Sequence, residues 1–388
     1  MTPTTAGLVL GWLGAVLLAA SLILMVREPS LAERLGGLER MYRWHHRLGT
    51  LAYVAVLAHP LVIAVPTWTR DSQAAWLIIA PMRSLANFLG WLSVLTLMGG
   101  LAVTFALRLR YSLWRPMHAL LSLGVVLGAV HIAIVDGLSL GISLFVASML
   151  LALSWRFMRA DRGAGAPPYE VIAVTHATND IVDVTLRPLA TSLNVTPGQF
   201  VMVAFFDGPH FRGCGELHPY TVSATHKDGA ITLSIKSLGD CTRNIQELIP
   251  GVAARVQGPF GRFLADRPAA TEIWIAGGVG ITPFLAVLRA SPIERATDLF
   301  YVFRQQEVPA YLQELKDLAE RQPLLKFHPV ASQDNLAPLL SQLVKLTDIE
   351  ARMIYMCGPP PLVDAVADWL HSRGIASDNI HFERFDFR

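Results

Sequence analysis

Charged residues, cysteines and basic clusters are scarce in this sequence. Only 16% of its 388 residues are charged, whereas 53% are hydrophobic. Such a chain is too apolar for an ordinary soluble protein, and its second half is too charged for a protein confined to the membrane. The formal net charge of +2, without a basic tract interleaved with aromatic residues, argues against nucleic-acid binding.

The cysteine pattern argues against two common kinds of site. The three cysteines, Cys214, Cys241 and Cys357, all follow residue 160, and none belongs to a Cys-x-x-Cys pair. This spacing predicts neither a zinc site nor a disulfide framework. It is typical of a protein region in a reducing compartment.

Long apolar runs fill the first half of the chain. There are five, at residues 6–26, 44–66, 86–107, 114–135 and 139–158. Each is close to the roughly 20 residues needed to cross a bilayer. The first lacks a basic start and is too long for the apolar region of a signal peptide, so it predicts a retained span. We therefore expect an α-helical transmembrane bundle over residues 1–160.

Positive charge is distributed unevenly around these spans. Arginines fill the first connection, the third connection and the segment after the last span, whereas the second connection is poorer and the fourth carries only Asp136. Cytoplasmic loops carry the excess of Lys and Arg, so we expect a multi-pass protein of the cell inner membrane. Its N-terminus is predicted outside and its second half in the cytoplasm.

Two of the predicted spans carry two histidines each, His45 with His59 and His118 with His131. Ionisable side chains are costly in hydrocarbon, so a functional role is the first interpretation. Spacings of 14 and 13 residues separate the two levels by roughly 20 Å along a helix. Two such helices side by side could clamp two flat macrocycles through neutral imidazole nitrogens, one near each membrane surface. The charge bias assigns His45 and His118 to the cytoplasmic level.

Two alternatives accompany this interpretation. His46 competes with His45 as the inner ligand, although the 14-residue spacing keeps His45 on nearly the same helix face as His59. A single histidine at a helix end can also extend to the interface or hydrogen-bond a backbone carbonyl.

The second half predicts two further domains. Residues 161–168 are rich in Gly and Pro, which predicts a linker. Six short alternating segments within residues 169–268 predict an antiparallel β-barrel. Strands alternate with helices over residues 269–388, which predicts a parallel α/β domain with ligands beyond the carboxyl ends of its strands.

The glycine-rich turn Gly277–Pro283 follows one of these predicted strands. Glycines let the backbone approach a pyrophosphate, and the helix N-terminus offers free N–H groups. Pro283 suits a first helical turn. The turn departs from the G-x-G-x-x-G pattern, so a standard Rossmann site is not predicted.

Several motifs carry a resemblance to known flavoproteins. His218-Pro219-Tyr220-Thr221-Val222-Ser223 resembles the flavin-binding motif of ferredoxin-reductase-type flavoproteins. The segments that look like its companions are Pro197–Phe200, Lys236–Thr242, Gly258–Gly261, Gly277–Pro283, Cys357–Pro359 and Phe382–Phe385.

The histidine helices extend this resemblance to nearly the whole chain. His45-His46-Arg47-Leu48-Gly49 through His59, and Trp114-Arg115-Pro116-Met117-His118 through His131, resemble the haem helices of the ferric reductase/NADPH oxidase superfamily. The motifs occur in the expected order. Five spans are predicted here, whereas the oxidases usually have six. We interpret the missing span as an N-terminal helix.

The resemblance implies FAD, NADPH or NADH, and two haem b groups as cofactors. Tyr220, Thr221 and Ser223 would line the flavin ring and ribityl chain, while core packing is the alternative for Tyr220 and Val222. The residues implied on the phosphate side of the flavin are His218, Lys236, Gly239 and Thr242.

The same resemblance implies a nucleotide site. Gly278, Gly280 and Thr282 would hold the pyrophosphate. Arg304 would stand near the adenosine ribose, favouring NADPH, unless it is an ordinary solvated charge. Cys357 with Gly358 would approach the nicotinamide, unless Cys357 is an ordinary buried thiol. Phe385 would stack on the flavin, but three residues follow it, so Phe387 stays open for that role.

The function implied is that of a transmembrane NAD(P)H oxidoreductase of the oxidase type, which reduces dioxygen to superoxide at the outer face. One alternative uses the same path to reduce ferric chelates or another periplasmic acceptor. The other is an electron-relay subunit for a redox partner protein. We expect a small-molecule acceptor and membrane lipid as partners, and the oligomeric state stays open.

Overall fold

The computed structural model describes residues 3–106, 111–161, 163–265, 267, 271–306, 308–332 and 335–384. The chain divides into two compact units. The first comprises Met1–Arg27 and Leu38–Arg162, and the second comprises Glu28–Gly37 and Gly163–Arg388. Each unit is described by itself.

The first unit is a helical bundle. Within the described residues, five helices are long and apolar enough to cross a membrane, which confirms the predicted number of spans. In chain order the helices are α1 (Pro3–Ile23), α2 (Pro29–Arg34, part of the second unit), α3 (Leu38–Trp68), α4 (Ser72–Ile79), the 3₁₀ turn Pro81–Arg83, α5 (Leu85–Ala106), α6 (Tyr111–Ala119), α7 (Leu121–Asp136), α8 (Leu140–Trp155) and the π-helical turn Arg156–Asp161.

Small residues let the helices of this bundle pack in close pairs. A Cβ atom added to Gly14 of α1 would lie 2.6 Å from Val56 of α3, and one added to Gly124 of α7 would lie 2.9 Å from Leu97 of α5. Ser93 of α5 donates to the carbonyl oxygen of Gly124 at 2.7 Å. Such contacts are typical of membrane helices, whose association depends on close packing and hydrogen bonds.

The fourth span, predicted over residues 114–135, lies at Pro116–Asp136 and contains a local break. It is divided at Leu120, whose N–H bonds to the carbonyl oxygen of Met117 at 3.1 Å instead of that of Pro116. Because the break falls between His118 and His131, an ideal helix does not describe their relative direction.

The second unit contains a closed antiparallel barrel of six strands in the order β1-β2-β5-β4-β3-β6, as predicted. Alternate residues of β2, such as Val182, Val184 and Leu186, are completely buried in its core. The strands are β1 (Pro168–Thr178), β2 (Ile181–Pro188), β3 (Phe200–Phe205), β4 (His218–Thr225), β5 (Ile231–Lys236) and β6 (Ala253–Phe260), and helix α9 (Asp240–Ile245) follows β5.

A parallel sheet in the order β11-β10-β7-β8-β9 completes this unit. Trp274 and Ala276 of β7 pack with helices α10 and α11, while Ile273 and Ile275 pack with α12 and α13 on the opposite face. The elements are β7 (Thr271–Gly277), α10 (Thr282–Ala290), β8 (Ala296–Arg304), α11 (Leu312–Arg321), β9 (Leu325–Ser332), α12 (Ala337–Leu343), β10 (Met353–Gly358), α13 (Pro360–Ser372) and β11 (Ile380–Arg384).

The strand order of this sheet reverses at β7. The chain runs outward from β7 to β8 and β9, and then crosses to β10 on the other side of β7. Ligands of such sheets bind at the carboxyl ends of the strands where the order reverses. The fold therefore favours a site between the ends of β7 and β10.

Candidate functional site

His59 and His131 are held in the same way by neighbouring helices. The Nδ1 atom of His59 lies 2.7 Å from the carbonyl oxygen of Gly7 on α1, and that of His131 lies 2.8 Å from the carbonyl oxygen of Ala86 on α5. A carbonyl oxygen only accepts, so each Nδ1 carries the proton and each Nε2 keeps its lone pair. An imidazole oriented by its second nitrogen is prepared to bind a metal.

Hydroxyl groups hold the other two histidines. His45 Nδ1 lies 2.8 Å from Ser21 Oγ, which itself donates to the carbonyl oxygen of His45 at 3.2 Å. His118 Nδ1 lies 3.2 Å from Thr104 Oγ1, which donates to the carbonyl oxygen of Gly100 at 2.8 Å. Each hydroxyl has placed its own hydrogen elsewhere and accepts from Nδ1. Both Nε2 atoms therefore keep their lone pairs as well.

The spacing of the inner pair suits one metal ion. The ring centroids of His45 and His118 lie 6.4 Å apart. Two imidazoles that share one metal, with bonds of about 2.0 Å, have ring centroids roughly 6 Å apart. His46 is exposed, and its ring lies edge-on to His45 with 5.7 Å between centroids. The geometry favours His45 over His46 as the inner ligand.

An apolar cavity of about 270 Å³ lies beside His59 and His131. A Cβ atom added to Gly11 would lie 2.8 Å from His59 Nδ1, and one added to Gly90 would lie 3.0 Å from His131 Nδ1. The two glycines thus leave the room that the rings occupy. The donor atoms and the apolar lining fit a flat, metal-bearing macrocycle. The cavity is lined by residues that include His59, Val94, Leu97, Val125 and His131.

The flavin-like motif lies on β4 and contains two unusual hydroxyls. Tyr220 and Thr221 are 8% and 4% exposed, and within the described part of the chain their hydroxyls lack a hydrogen-bond partner. Burial raises the pKa of Tyr220 well above its ordinary value, and the neighbouring Cys214 and Cys241 act in the same direction. A buried polar group left unpaired costs about 1–3 kcal/mol. Both hydroxyls therefore fit a polar ligand such as a flavin.

Other residues of this motif pack in the core of the barrel or bond to its neighbouring strands. Val222 is completely buried in the core, in line with the core-packing alternative for this residue. Ser223 donates to the carbonyl oxygen of Thr232 at 3.1 Å, and Pro219 pairs with Met202 across the β3–β4 ladder. These contacts fix the strand that presents Tyr220.

The residues expected on the phosphate side already have protein partners. Lys236 Nζ lies 3.2 Å from Asp180 Oδ2. Burial favours protonated Asp180, but the Thr178 hydroxyl and Lys236 outweigh it and lower the pKa of this carboxyl. Thr242 Oγ1 accepts from the backbone N–H of Gly239 at 2.8 Å and caps α9. The short segment after β5 is thereby rigid.

Cys214 and Cys241 are distant in the sequence but lie close together in the structure. Cys214 Sγ, Cys241 Sγ and a ring nitrogen of His218 all lie within 4.8 Å of one another. Burial raises the pKa of the Cys241 thiol, and Cys214, Glu216 and Asp240 act in the same direction. The sequence has no Cys-x-x-Cys spacing to indicate this group, because its two cysteines lie far apart along the chain.

The ends of β7 and β10 approach each other closely, as the sheet order requires. A Cβ atom added to Gly280 would lie 2.3 Å from the carbonyl oxygen of Cys357, and one added to Gly358 would lie 3.1 Å from Gly277 Cα. Only glycine permits this contact between two backbones. The glycines of both predicted nucleotide segments therefore lie together.

The remaining nucleotide residues surround this contact. Gly278 has φ +55, and the buried Thr282 donates to the carbonyl oxygen of Val279 at 3.0 Å where α10 begins. Arg304 is exposed at the carboxyl end of β8. The Cys357 side chain is completely buried in the core.

The C-terminal aromatic segment reaches another predicted flavin segment. Glu383 Oε1 lies 3.5 Å from the Cβ position of Gly261, at the end of Gly258–Gly261. Glu383 also pairs with Cys357 across the β10–β11 ladder. Phe385 and Phe387 lie outside the described residues.

A link between the barrel and the sheet has no signal in the sequence. The Tyr311 hydroxyl donates to Asp183 of β2 and lies 2.9 Å from Ser234 Oγ of β5. Arg289 of α10 donates to the carbonyl oxygen of Ser223 on β4 at 3.3 Å. Burial raises the pKa of Tyr311, and the Asp183 carboxylate acts in the same direction. The positive φ of Tyr311, +59, is visible only in the structure.

Comparisons with known families agree with this arrangement. Residues 10–129 match the model described as ferric reductase like transmembrane component. Residues 168–274 match an FAD-binding domain, and residues 274–368 match an oxidoreductase NAD-binding domain. These three domains in this order are the layout of the ferric reductase/NADPH oxidase superfamily. The chain belongs to this superfamily.

Individual relatives of this superfamily member match mainly its second half. An electron transfer component of toluate 1,2-dioxygenase from Pseudomonas putida is 26% identical over 50% of this chain and 62% of its own length. The ferredoxin–NAD(P)(+) reductase component of the naphthalene 1,2-dioxygenase/salicylate 5-hydroxylase systems from Ralstonia sp is 27% identical over 55% of this chain and 67% of its own. The chain thus spans only about two thirds of these relatives.

A solved structure is similar over the whole length. The flavohemoglobin from Malassezia yamatoensis has a TM-score of 0.50 at 18% identity and covers 99% of both chains. This likeness concerns the fold alone. By its domains the superfamily member is a membrane protein and an NAD(P)H-dependent oxidoreductase with FAD-binding and NAD-binding domains.

Proposed function

We propose that this chain carries electrons from cytoplasmic NADPH, through FAD and two bis-histidine b haems, to dioxygen at the outer face, giving superoxide. The observation that carries the proposal is the common orientation of His45, His59, His118 and His131. All four bind a neighbouring helix through Nδ1 and keep Nε2 for a metal. When bound, the nicotinamide supplies a hydride, the flavin converts it into single electrons, and the haems carry them.

The inner haem would be held by His45 and His118. Their 6.4 Å centroid separation matches one shared iron. Ser21 and Thr104 would set the tautomer of both rings, because each hydroxyl accepts from Nδ1. A hydrogen bond to Nδ1 also makes the imidazole a stronger ligand.

The outer haem would be held by His59 and His131. A mostly apolar cavity lies beside these rings, and Gly11 and Gly90 leave space for the imidazoles. Because His59 and His131 would both bind this haem, the acceptor would receive its electron without binding to the iron. This supports a small acceptor that only needs to approach the outer surface.

The flavin would be held by β4 and the segments around it. The Tyr220 and Thr221 hydroxyls would donate to its polar atoms, and Ser223 and Val222 would keep the strand in place. His218, Lys236, Gly239 and Thr242 would lie toward its phosphates. Phe385 is proposed to cover the flavin ring.

The nucleotide would enter between the ends of β7 and β10. Gly278, Gly280 and Thr282 would hold its pyrophosphate, where only glycine allows the backbones to approach. Arg304 would approach the adenosine ribose, and Cys357 with Gly358 would adjoin the nicotinamide. The chain itself supplies binding and orientation here, and no side-chain nucleophile is needed.

The orientation across the membrane rests on charge and on the first connection. That connection is rich in arginine, and residues 28–37 within it belong to the same compact unit as the flavin and nucleotide domains. Both observations support a cytoplasmic first connection in the cell inner membrane, with the N-terminus outside. We keep the proposed domain limits of 1–160, 161–168, 169–268 and 269–388.

Turnover with NADPH tests the proposal. We expect cytochrome c reduction that superoxide dismutase blocks, together with haem reduction seen in absorption spectra. The match to a ferric reductase like component favours a second candidate, ferric-chelate reduction. Iron reduction detected with ferrozine that persists without oxygen would support this candidate instead. NADPH oxidation that requires an added protein would contradict both and indicate a relay subunit.

A further inference from the structure

Three side chains with metal-binding atoms converge where the chain enters β4, and a carboxylate lies beside one of them. Cys214 Sγ, Cys241 Sγ and a His218 ring nitrogen lie within 4.8 Å of one another. Glu216 Oε2 lies 3.7 Å from His218 Nε2. The residues come from two stretches of chain, the β3–β4 connection and the start of α9, which only the barrel brings together.

The connection that carries Cys214 is fixed on both sides of this residue. The N–H of Gly213 donates to Asp207 Oδ1 at 2.9 Å, and the N–H of Gly215 donates to the carbonyl oxygen of Phe205 at 3.0 Å. A Cβ atom on Gly213 would lie 2.4 Å from that carbonyl oxygen, so only glycine fits there. The position of the Cys214 thiol is therefore built into the fold.

Cys241 is fixed from the other stretch. It is the second residue of α9, whose start is capped by Thr242 through bonds of 2.8 Å to the N–H groups of Leu238 and Gly239. Cys214, His218 and Cys241 are all partly buried. They are shielded from bulk solvent but remain within reach of a small ion.

We propose that Cys214, His218 and Cys241 bind a divalent metal ion of the zinc class, with Glu216 as the fourth ligand. Two thiolates, an imidazole and a carboxylate are ligands that zinc takes in tetrahedral sites. Thiolates disfavour calcium and magnesium, which take oxygen ligands. Binding displaces the two thiol protons to solvent. Zinc–ligand bonds of about 2.0–2.3 Å require the side chains to close by small rotations.

This site has a consequence for the flavin strand that goes beyond electron transfer. His218 is the first residue of β4, and Tyr220 and Thr221 follow on the same strand. A metal bound to His218 would tie the start of β4 to α9 through Cys241. The ion would then fix the strand that presents the two unpaired hydroxyls.

Zinc titration of the purified full-length protein in detergent tests the site. The reduced, chelator-treated protein should take up one equivalent of zinc with high affinity. Cys214→Ser and Cys241→Ser should each weaken binding by at least about tenfold, the lower end of what loss of a supporting group costs. Cys357→Ser, which changes the third cysteine, should bind zinc like the wild type. Equal affinity in all four proteins would overturn the proposal.

Two measurements on the wild type avoid any problem with folding of the variants. X-ray absorption at the zinc edge should show sulfur at about 2.3 Å. Zinc should protect Cys214 and Cys241 from alkylation, read peptide by peptide, and a chelator should remove the protection. A shell of only nitrogen and oxygen would refute the site. Protection removed by a reductant and not by a chelator would indicate a disulfide and would refute it as well.

Discussion

The Nδ1 atom of His59 donates to the carbonyl oxygen of Gly7, 2.7 Å away on the neighbouring helix α1. Gly11, one helical turn further along α1, faces the same ring. The pair α5–α7 repeats this arrangement, with Ala86 as the acceptor and Gly90 against the ring of His131. The two helix pairs thus hold His59 and His131 in the same way, with a backbone carbonyl at Nδ1 and a glycine against the ring.

Replacement of an outer histidine should remove one haem. His59→Ala deletes one of two axial ligands, so roughly half of the haem should be lost. Haem content per protein, measured as the pyridine complex, provides the test. His46→Ala is the matched control and should keep the full content, because the geometry favours His45. Unchanged haem in His59→Ala would refute the assignment of His59.

A methyl group beside the outer rings should have a similar effect. Gly11→Ala places a Cβ atom 2.8 Å from His59 Nδ1, so the ring must move and strain its bond to Gly7. Gly90→Ala acts on His131 in the same way. Both variants should lower outer-haem occupancy or shift its reduction midpoint in a spectroelectrochemical titration. A Cβ atom in Gly99→Ala on α5 has no atom of the described residues within 4 Å, so this variant should behave like the wild type.

Removal of the Tyr220 hydroxyl should have opposite effects on the free and flavin-bound protein. The buried hydroxyl lacks a partner among the described residues, so Tyr220→Phe should raise the stability of the flavin-free protein by about 1 kcal/mol. The same change should weaken FAD binding by roughly tenfold, equal to about 1.4 kcal/mol. Thermal unfolding and flavin fluorescence titration measure the two effects. Equal FAD affinity in both proteins would argue against contact with the flavin.

The link between barrel and sheet should affect hydride transfer. Tyr311→Phe removes the bond to Asp183 and the contact with Ser234, at a cost of about 1–3 kcal/mol in unfolding free energy. Looser docking of the two halves should slow anaerobic flavin reduction by NADPH in stopped-flow measurements. Val308→Ala changes a side chain that is 82% exposed in the preceding loop and serves as the control. Wild-type rates and stability in Tyr311→Phe would show that the link is dispensable.

Acid should weaken the sheet through Asp298. Burial favours its protonated form, but hydrogen bonds from His328 and Arg352 outweigh burial and lower the pKa of Asp298. A carboxyl with a lowered pKa stabilises the fold above its unfolded pKa of about 3.9, and this contribution is lost as pH falls through the lower, folded pKa. Asp298→Asn should therefore be less stable than wild type at neutral pH. The difference should shrink below about pH 4 in thermal unfolding curves. A stability difference that stays constant down to pH 2, about two units below the unfolded pKa, would contradict this account.

Much of the architecture could be predicted because its signals are local. Each apolar run, such as residues 6–26, contains its own evidence for a span, and alternation along β2 reveals one buried face. The break at Leu120 escaped prediction. The apolar pattern continues through residue 120, so it contains no local signal for the break.

In the candidate site, too, some features could be predicted from the sequence and others depend on tertiary packing. The sequence alone allowed the prediction of which histidines lie at two membrane levels and of which motifs accompany them, because spacing and charge bias are properties of the linear chain. Only the tertiary structure provides the partners of each ring, such as Ser21, which contacts His45 from another helix. The meeting of Cys214 with Cys241 was likewise decided by barrel closure, which joins stretches that no sequence spacing relates.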